Sequence, residues 1–127
     1  MEIYSKIFID HFMNPRNIGE IKDADGTGIA ENVDKSGKIV FYIKVRDKKL
    51  IEIKYKVLGC PSAISSSSLI SEYCKNMLIE DALKINRDFL KKNLGNLPED
   101  VFECAELSIV AFHDAIINYK KGGNYGN

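Results

Sequence analysis

Leu58-Gly59-Cys60-Pro61-Ser62-Ala63-Ile64-Ser65-Ser66-Ser67-Ser68-Leu69-Ile70-Ser71 is the stretch that decides how the chain folds. A strand-like run ends at Leu58, and Gly59 permits a sharp turn. Cys60 then stands at a helix N-cap, with Pro61 suited to the first helical position. Beyond it Ala63, Ile64, Ser67, Ile70, Cys74 and Met77 recur at helical steps, which predicts a buried stripe. A thiol at a helix N-terminus faces unpaired N–H groups and the positive end of the dipole, so its thiolate is favoured. The thiolate is the nucleophile and the metal ligand. Taken alone, Cys60 reads more readily as a small buried hydrophobe, and the serines as small residues that allow close helix packing.

Working outward, the residues before this stretch alternate. Ile39, Phe41, Ile43 and Val45 share one face of a run from Lys38 to Arg46. Ile51, Ile53, Tyr55 and Val57 share one face of a run from Leu50 to Leu58, with Glu52, Lys54 and Lys56 outward. Joined by Asp47-Lys48-Lys49, the runs predict an antiparallel hairpin with helices on one side and water on the other. Upstream, Ile3 to Met13 reads as an amphipathic helix with Ile3, Ile7 and His11 on one face. Asn14-Pro15 and Gly19 end it. Glu20 to Asp34 reads as an irregular polar loop with room for one short strand. Downstream, Ile79–Ile85 and Asn86–Asn93 read as short helices. Pro98-Glu99-Asp100 starts a long helix running to about Lys121, its wide apolar face formed by Leu107, Val110, Ala111, Ala115, Ile116 and Ile117. Residues 122–127 read as a frayed tail.

The 127 residues make one domain, with a hydrophobic share of 45% that is ordinary for a globular protein. Eighteen basic side chains balance eighteen acidic ones, which gives no electrostatic pull toward nucleic acid or an anionic membrane. No apolar run approaches a membrane span of ~20 residues, and no signal-like N-terminus is present, so the chain reads as cytoplasmic. Three cysteines in a reducing compartment read as thiols or ligands rather than a disulfide framework. No P-loop, G-x-S-x-G or H-E-x-x-H motif appears, and turnover of a small molecule is not expected.

Three landmarks occur in order. Tyr4-Ser5, Asp10-His11 and Asn14-Pro15-Arg16-Asn17-Ile18-Gly19 form the first. Gly59-Cys60, Ser62-Ala63-Ile64 and Ser66-Ser67-Ser68-Leu69 form the second. Leu97-Pro98, Cys104 and Asp114-Ala115-Ile116 form the third. Together they resemble the U-type iron–sulfur cluster scaffold family, the IscU and NifU N-terminal-domain type. The resemblance implies an α+β fold: an antiparallel sheet of about three strands with helices on one face, including an N-terminal helix and a long C-terminal one. It implies a non-enzymatic scaffold. Such a protein takes sulfur from a cysteine desulfurase, assembles a labile cluster of the 2Fe–2S type, and passes it to apo iron–sulfur proteins. By this likeness Cys104 is the persulfide-receiving thiol and Cys60 a neighbouring ligand.

The chain departs from the family pattern at its first cysteine, where the register of the strand places Lys35, Ser36 and Gly37, with Val33 and Asp34 nearby. Glu103 stands where many members carry His. Leu97-Pro98-Glu99-Asp100-Val101 departs from the Leu-Pro-Pro-Val-Lys segment that a dedicated chaperone reads in some members. Cys74 lies roughly 21 Å along the same helix from Cys60, too far to share a metal, and belongs to the core. His113 lies roughly 13–14 Å from Cys104 along its helix, and His11 reads as a packed residue. Two thiolates, Cys60 and Cys104, therefore remain, with Glu103 and Asp34 as weaker oxygen ligands, for a cluster normally held by about four. A second subunit or exogenous thiols would complete the shell around a cluster or a single iron or zinc ion. Lys35 would favour a thiolate or persulfide over a bound cation. The alternatives are a cluster-free sulfur acceptor or regulatory partner of a desulfurase, and a protein with inert thiols that merely pairs with others. The arrangement expected if both thiols touch one metal is an Sγ separation within ~8 Å.

Overall fold

The alternating runs form the hairpin, but with different details at both ends. The computed structural model describes residues 4–122, and within them every side chain but that of Lys35. The order is α1 (Lys6–Met13), β1 (Gly26–Asn32), a 3-10 turn (Val33–Lys35), β2 (Gly37–Arg46), β3 (Lys49–Leu58), α2 (Pro61–Tyr73), α3 (Ile79–Ala82), α4 (Arg87–Leu94) and α5 (Glu99–Lys120). The three strands pair antiparallel in the order β1-β2-β3. Asp47 and Lys48 alone make the hairpin loop, with φ of 53° and 65°. Positive φ at both central positions matches the twist of the flanking strands, so the expected three-residue connection shrinks to two. Lys44 pairs with Glu52 and Val45 with Leu50, so Ile51 is the extra residue of a bulge. The bulge shifts the face: Leu50 is fully buried and Ile51 is only partly so, the reverse of the strict alternation.

Residues 20–34 hold a longer strand than expected. β1 pairs along its whole length with β2, from Gly26 opposite Ile43 to Asn32 opposite Gly37. Its glycines exist for α5. A Cβ at Gly28 would overlap the backbone of Ala111 and Ala115, and one at Gly26 would overlap the carbonyl of Ala115. Helix α5 therefore lies against bare strand backbone. Asp114 Oδ2 accepts the Ile29 N–H at 3.1 Å, and Asn118 donates to the Thr27 carbonyl at 2.8 Å. Phe112 of α5 packs at a tilt against Phe41 of β2, and Phe41 against Tyr55 of β3, with centroids 5.4 and 5.8 Å apart. Each such pair adds roughly 0.5–1.5 kcal/mol beyond its burial. The buried face of α5 runs through Phe102, Cys104, Ala105, Ser108, Ile109, Ala111, Phe112, Ala115 and Ile116. Val110 and Ile117 point to solvent instead, because the helix is rotated to seat its alanines on the glycines.

Helix α1 begins three residues later than its pattern suggests, and Ile3 lies outside the described residues. Ser5 sets the start: its Oγ accepts the Phe8 N–H at 3.0 Å and donates to the Asn93 carbonyl at 2.6 Å. Phe8 and His11 are buried, whereas Ile7, Ile9, Phe12 and Met13 remain exposed. Asn86 caps α4 by accepting from Asp88 and Phe89. Of the tail expected at 122–127, Gly122 is in a turn and residues 123–127 lie outside the described residues. Among the described residues no helix is long and apolar enough to cross a membrane.

Candidate functional site

The serine helix explains how two distant cysteines meet. α2 is buried almost all round rather than along one stripe: Ser62, Ala63, residues 65–70 and Ser71 are all inside, and Ile64 is only partly so. A helix so enclosed needs small side chains, and a buried hydroxyl is costly without a partner; of the helix's buried serines Ser67 has none, and the others are bonded. Ser65 Oγ donates to the Phe8 carbonyl of α1 at 2.8 Å. Ser66 Oγ lies 2.7 Å from Ser108 Oγ of α5. Ser68 Oγ accepts the Arg16 N–H at 2.9 Å and lies 2.7 Å from His11 Nδ1. Ser71 Oγ accepts from Asn17 at 3.0 Å. At the N-terminus Ser62 Oγ donates to the Val101 carbonyl at 2.7 Å, fastening the start of α2 to the first turn of α5. Sequence reasoning placed these serines on a helix but could not name their partners.

That fastening brings Cys60, the N-cap of α2, against Cys104 in the second turn of α5. Their Sγ atoms are 2.7 Å apart, although the residues are 44 positions apart in the chain. Both are thiols rather than disulfide partners. The corner is built from the backbone of three elements. Gly59 has φ of 73°, a conformation that favours glycine, and its Cα faces the Ser36 carbonyl and Gly37 Cα. Gly37, at the start of β2, sits directly over the thiol: a Cβ there would overlap Cys60 Sγ. The segment of Lys35, Ser36 and Gly37 therefore runs past the same corner, although the Lys35 side chain lies outside the described residues.

The two thiols differ in access. Cys104 is 4% exposed and lines a groove of about 520 Å³, together with Tyr4, Phe8, Ile9, Phe12 and Met13 on one wall and Gly59, Pro61, Ser62, Asp100 and Val101 on the other. Cys60 is 1% exposed and does not line that groove. The exposed apolar residues of α1 are thus the rim of the approach to Cys104.

The other candidates lie elsewhere. Asp34 and Glu103 are exposed, and Glu103 lines a separate shallow groove with Glu31, Asn32, Val33 and Glu106. Among the described residues no three Cys, His, Asp or Glu side chains gather to hold a metal ion. Cys74 caps the far end of α2, fully buried, and burial pushes its thiol up to about 12. Burial, with the Arg16 charge beside it, holds His11 below the usual histidine range. His113 is likewise held low by burial, and its Nε2 lies 3.3 Å from the Ala82 carbonyl. Both rings are packing residues.

Comparison with known proteins agrees with this architecture. The family model of the NifU-like N-terminal domain matches residues 3–124. The iron-sulfur cluster assembly scaffold protein IscU 1 of Archaeoglobus fulgidus is 43% identical over 122 residues, covering 95% of this chain and 80% of that one. The protein so named from Rickettsia prowazekii is 38% identical over 122 residues, covering 93% and 92%. Among solved structures, the N-terminal part of a nitrogen-fixing NifU-like protein from Brucella abortus superposes with a TM-score of 0.73 at 22% identity, over 94% of this chain and 95% of that one. That likeness is one of fold.

Proposed function

The chain belongs to the NifU-like N-terminal domain family, and from that premise we propose that it is an iron–sulfur cluster assembly scaffold whose working site is the Cys60–Cys104 corner. One observation carries this reading: two sulfurs from different elements stand 2.7 Å apart beside an open apolar groove. Cys104, at the floor of the groove, is the sulfur acceptor, and a cysteine desulfurase is the donor. The groove admits a partner's sulfur-bearing side chain, and its apolar walls exclude water around the transfer.

The cluster is cargo. Two thiolates suit a soft iron site, and two bonds of about 2.3 Å at a tetrahedral metal require an Sγ separation near ~3.8 Å. The pair must therefore open by about 1 Å, which side-chain rotation supplies. Because an iron–sulfur cluster takes about four thiolates, two come from outside: a second copy of the chain or small thiols. Anaerobic reconstitution with iron, sulfide and a desulfurase tests this. Charge-transfer absorbance should appear, rising steeply with protein concentration if a second copy completes the shell. None at any concentration overturns the cluster-holding role.

The thin ligand set supports a second reading, in which the chain accepts sulfur or regulates a desulfurase without holding a cluster. Mass spectrometry after incubation with a desulfurase and cysteine should then find an extra sulfur on Cys104 with no cluster formed. Binding without that sulfur would leave a regulatory role alone.

A further inference from the structure

The contact between the two thiols goes beyond what a pair of cluster ligands needs. A sulfur delivered to Cys104 arrives as sulfane sulfur, at the oxidation level of zero, and must gain two electrons before it can serve as sulfide in a cluster. We propose that Cys60 is a resolving thiol, which attacks the Cys104 persulfide, releases its outer sulfur as hydrogen sulfide and leaves a Cys60–Cys104 disulfide. This rests on the reading of Cys104 as the sulfur acceptor.

The atoms balance without an outside reductant in the release step. The Cys60 sulfur attacks Cys104 Sγ, and a bond forms between them. The bond from Cys104 Sγ to the outer sulfur breaks, and its electron pair leaves with that sulfur. The departing hydrosulfide takes the proton from the Cys60 thiol. The outer sulfur is reduced by two electrons, and the two cysteine sulfurs are oxidised to a disulfide. A dithiol then restores the pair by exchange before the next sulfur is accepted.

Three observations support these roles. The Sγ atoms are in direct contact, so a disulfide between them needs only a small side-chain movement. Cys104 alone lines the groove. A sulfur carried there lies on the open side, where it can depart, while Cys60 approaches from the buried side. Thiol–disulfide exchange prefers attacking and leaving sulfurs on different sides of the central one. Finally, the packing that buries Cys60 to 1% shields it from being charged directly, so the accepting and resolving roles do not interchange.

The test loads the full chain anaerobically with inorganic polysulfide, removes small molecules, and follows released sulfide and intact mass. The wild type should release about one sulfide per chain, lose two hydrogens relative to the dithiol, and yield a linked Cys60–Cys104 peptide on non-reducing digestion. Cys60→Ala should keep the added sulfur on Cys104 and release sulfide roughly tenfold or more slowly. Equal release rates in the two proteins, or no linked peptide from the wild type, overturn the proposal. The wild-type readouts stand even if Cys60→Ala does not fold. A second arm charges both proteins with a cysteine desulfurase and cysteine. If neither protein takes up sulfur in either arm, sulfur acceptance fails and the resolving step with it. If Cys60→Ala takes up sulfur and the wild type holds it without releasing sulfide, only the resolving step fails.

Discussion

Gly37→Ala perturbs the site through one atom. Gly37 does not have the positive φ that penalises a side chain, so alanine introduces no backbone strain. The new Cβ would lie at a comfortable 3.6 Å from both Asn32 Cβ and Cys60 Cβ. It would overlap Cys60 Sγ, well inside the ordinary separation of about 3.5–4.0 Å. Only the sulfur has to move, by about 1 Å, which is a turn of more than about 30° around its Cα–Cβ bond. An off-rotamer turn of that size costs about 0.5–1.5 kcal/mol, and overpacking about 1–3 kcal/mol. We expect a loss of about 1–2 kcal/mol. For 127 residues at about 2.1 cal/mol/K each, that lowers Tm by about 4–8 °C. The Cβ also holds the Cys60 sulfur off its rotamer, and retention of a reconstituted cluster should fall by roughly tenfold, the range seen when a ligand loses its support. Calorimetry and anaerobic reconstitution measure the two effects. A variant that melts within about 1 °C of the wild type and holds as much cluster would refute the placement of Cys60 beneath Gly37.

Gly28→Ala should be far more damaging, by about 3 kcal/mol or more, because its Cβ meets the backbone of Ala111 and Ala115 and α5 must move bodily. An unchanged urea midpoint would contradict that packing. Asp114→Ala should cost about 1–2 kcal/mol, since its carboxylate is the acceptor for the Ile29 N–H, again read from the urea midpoint. Alkali should destabilise the fold through two buried acids. Burial pushes the Cys74 thiol and the Tyr55 phenol each up to about 12, so the folded state favours their neutral forms. Their contribution is complete below the unfolded values of about 8.5 and 10 and is lost as pH rises from there through about 12. Cys74→Ala should flatten the lower part of that decline, and a stability profile level from pH 9 to 12 in the wild type would rule the account out.

The hairpin was legible because alternation is a local signal, but its bulge was not: Leu50 and Ile51 are both apolar, and only pairing with Lys44 and Val45 decides which turns inward. β1 was hidden for a different reason. Gly26 and Gly28 weaken a strand by propensity, and their use appears only when α5 is laid across them. The serine run showed a helix without showing its depth, since a hydroxyl is polar in the sequence and satisfied only by partners such as Val101, Ser108 and Phe8 from other elements. The two cysteines could be picked out by motif. Their contact could not, because it depends on Ser62 fastening α2 to α5 and on the bare Cα of Gly37 leaving room for sulfur.

The contacting sulfurs face two chemical states that exclude each other. Joining one metal needs the sulfurs near ~3.8 Å, and a disulfide needs them at about 2.05 Å. One movement opens the pair and the opposite movement closes it, so a chain that has just released sulfide through a disulfide cannot hold iron on the same two atoms. Sulfur release and metal binding must then alternate on one chain or be divided between two copies.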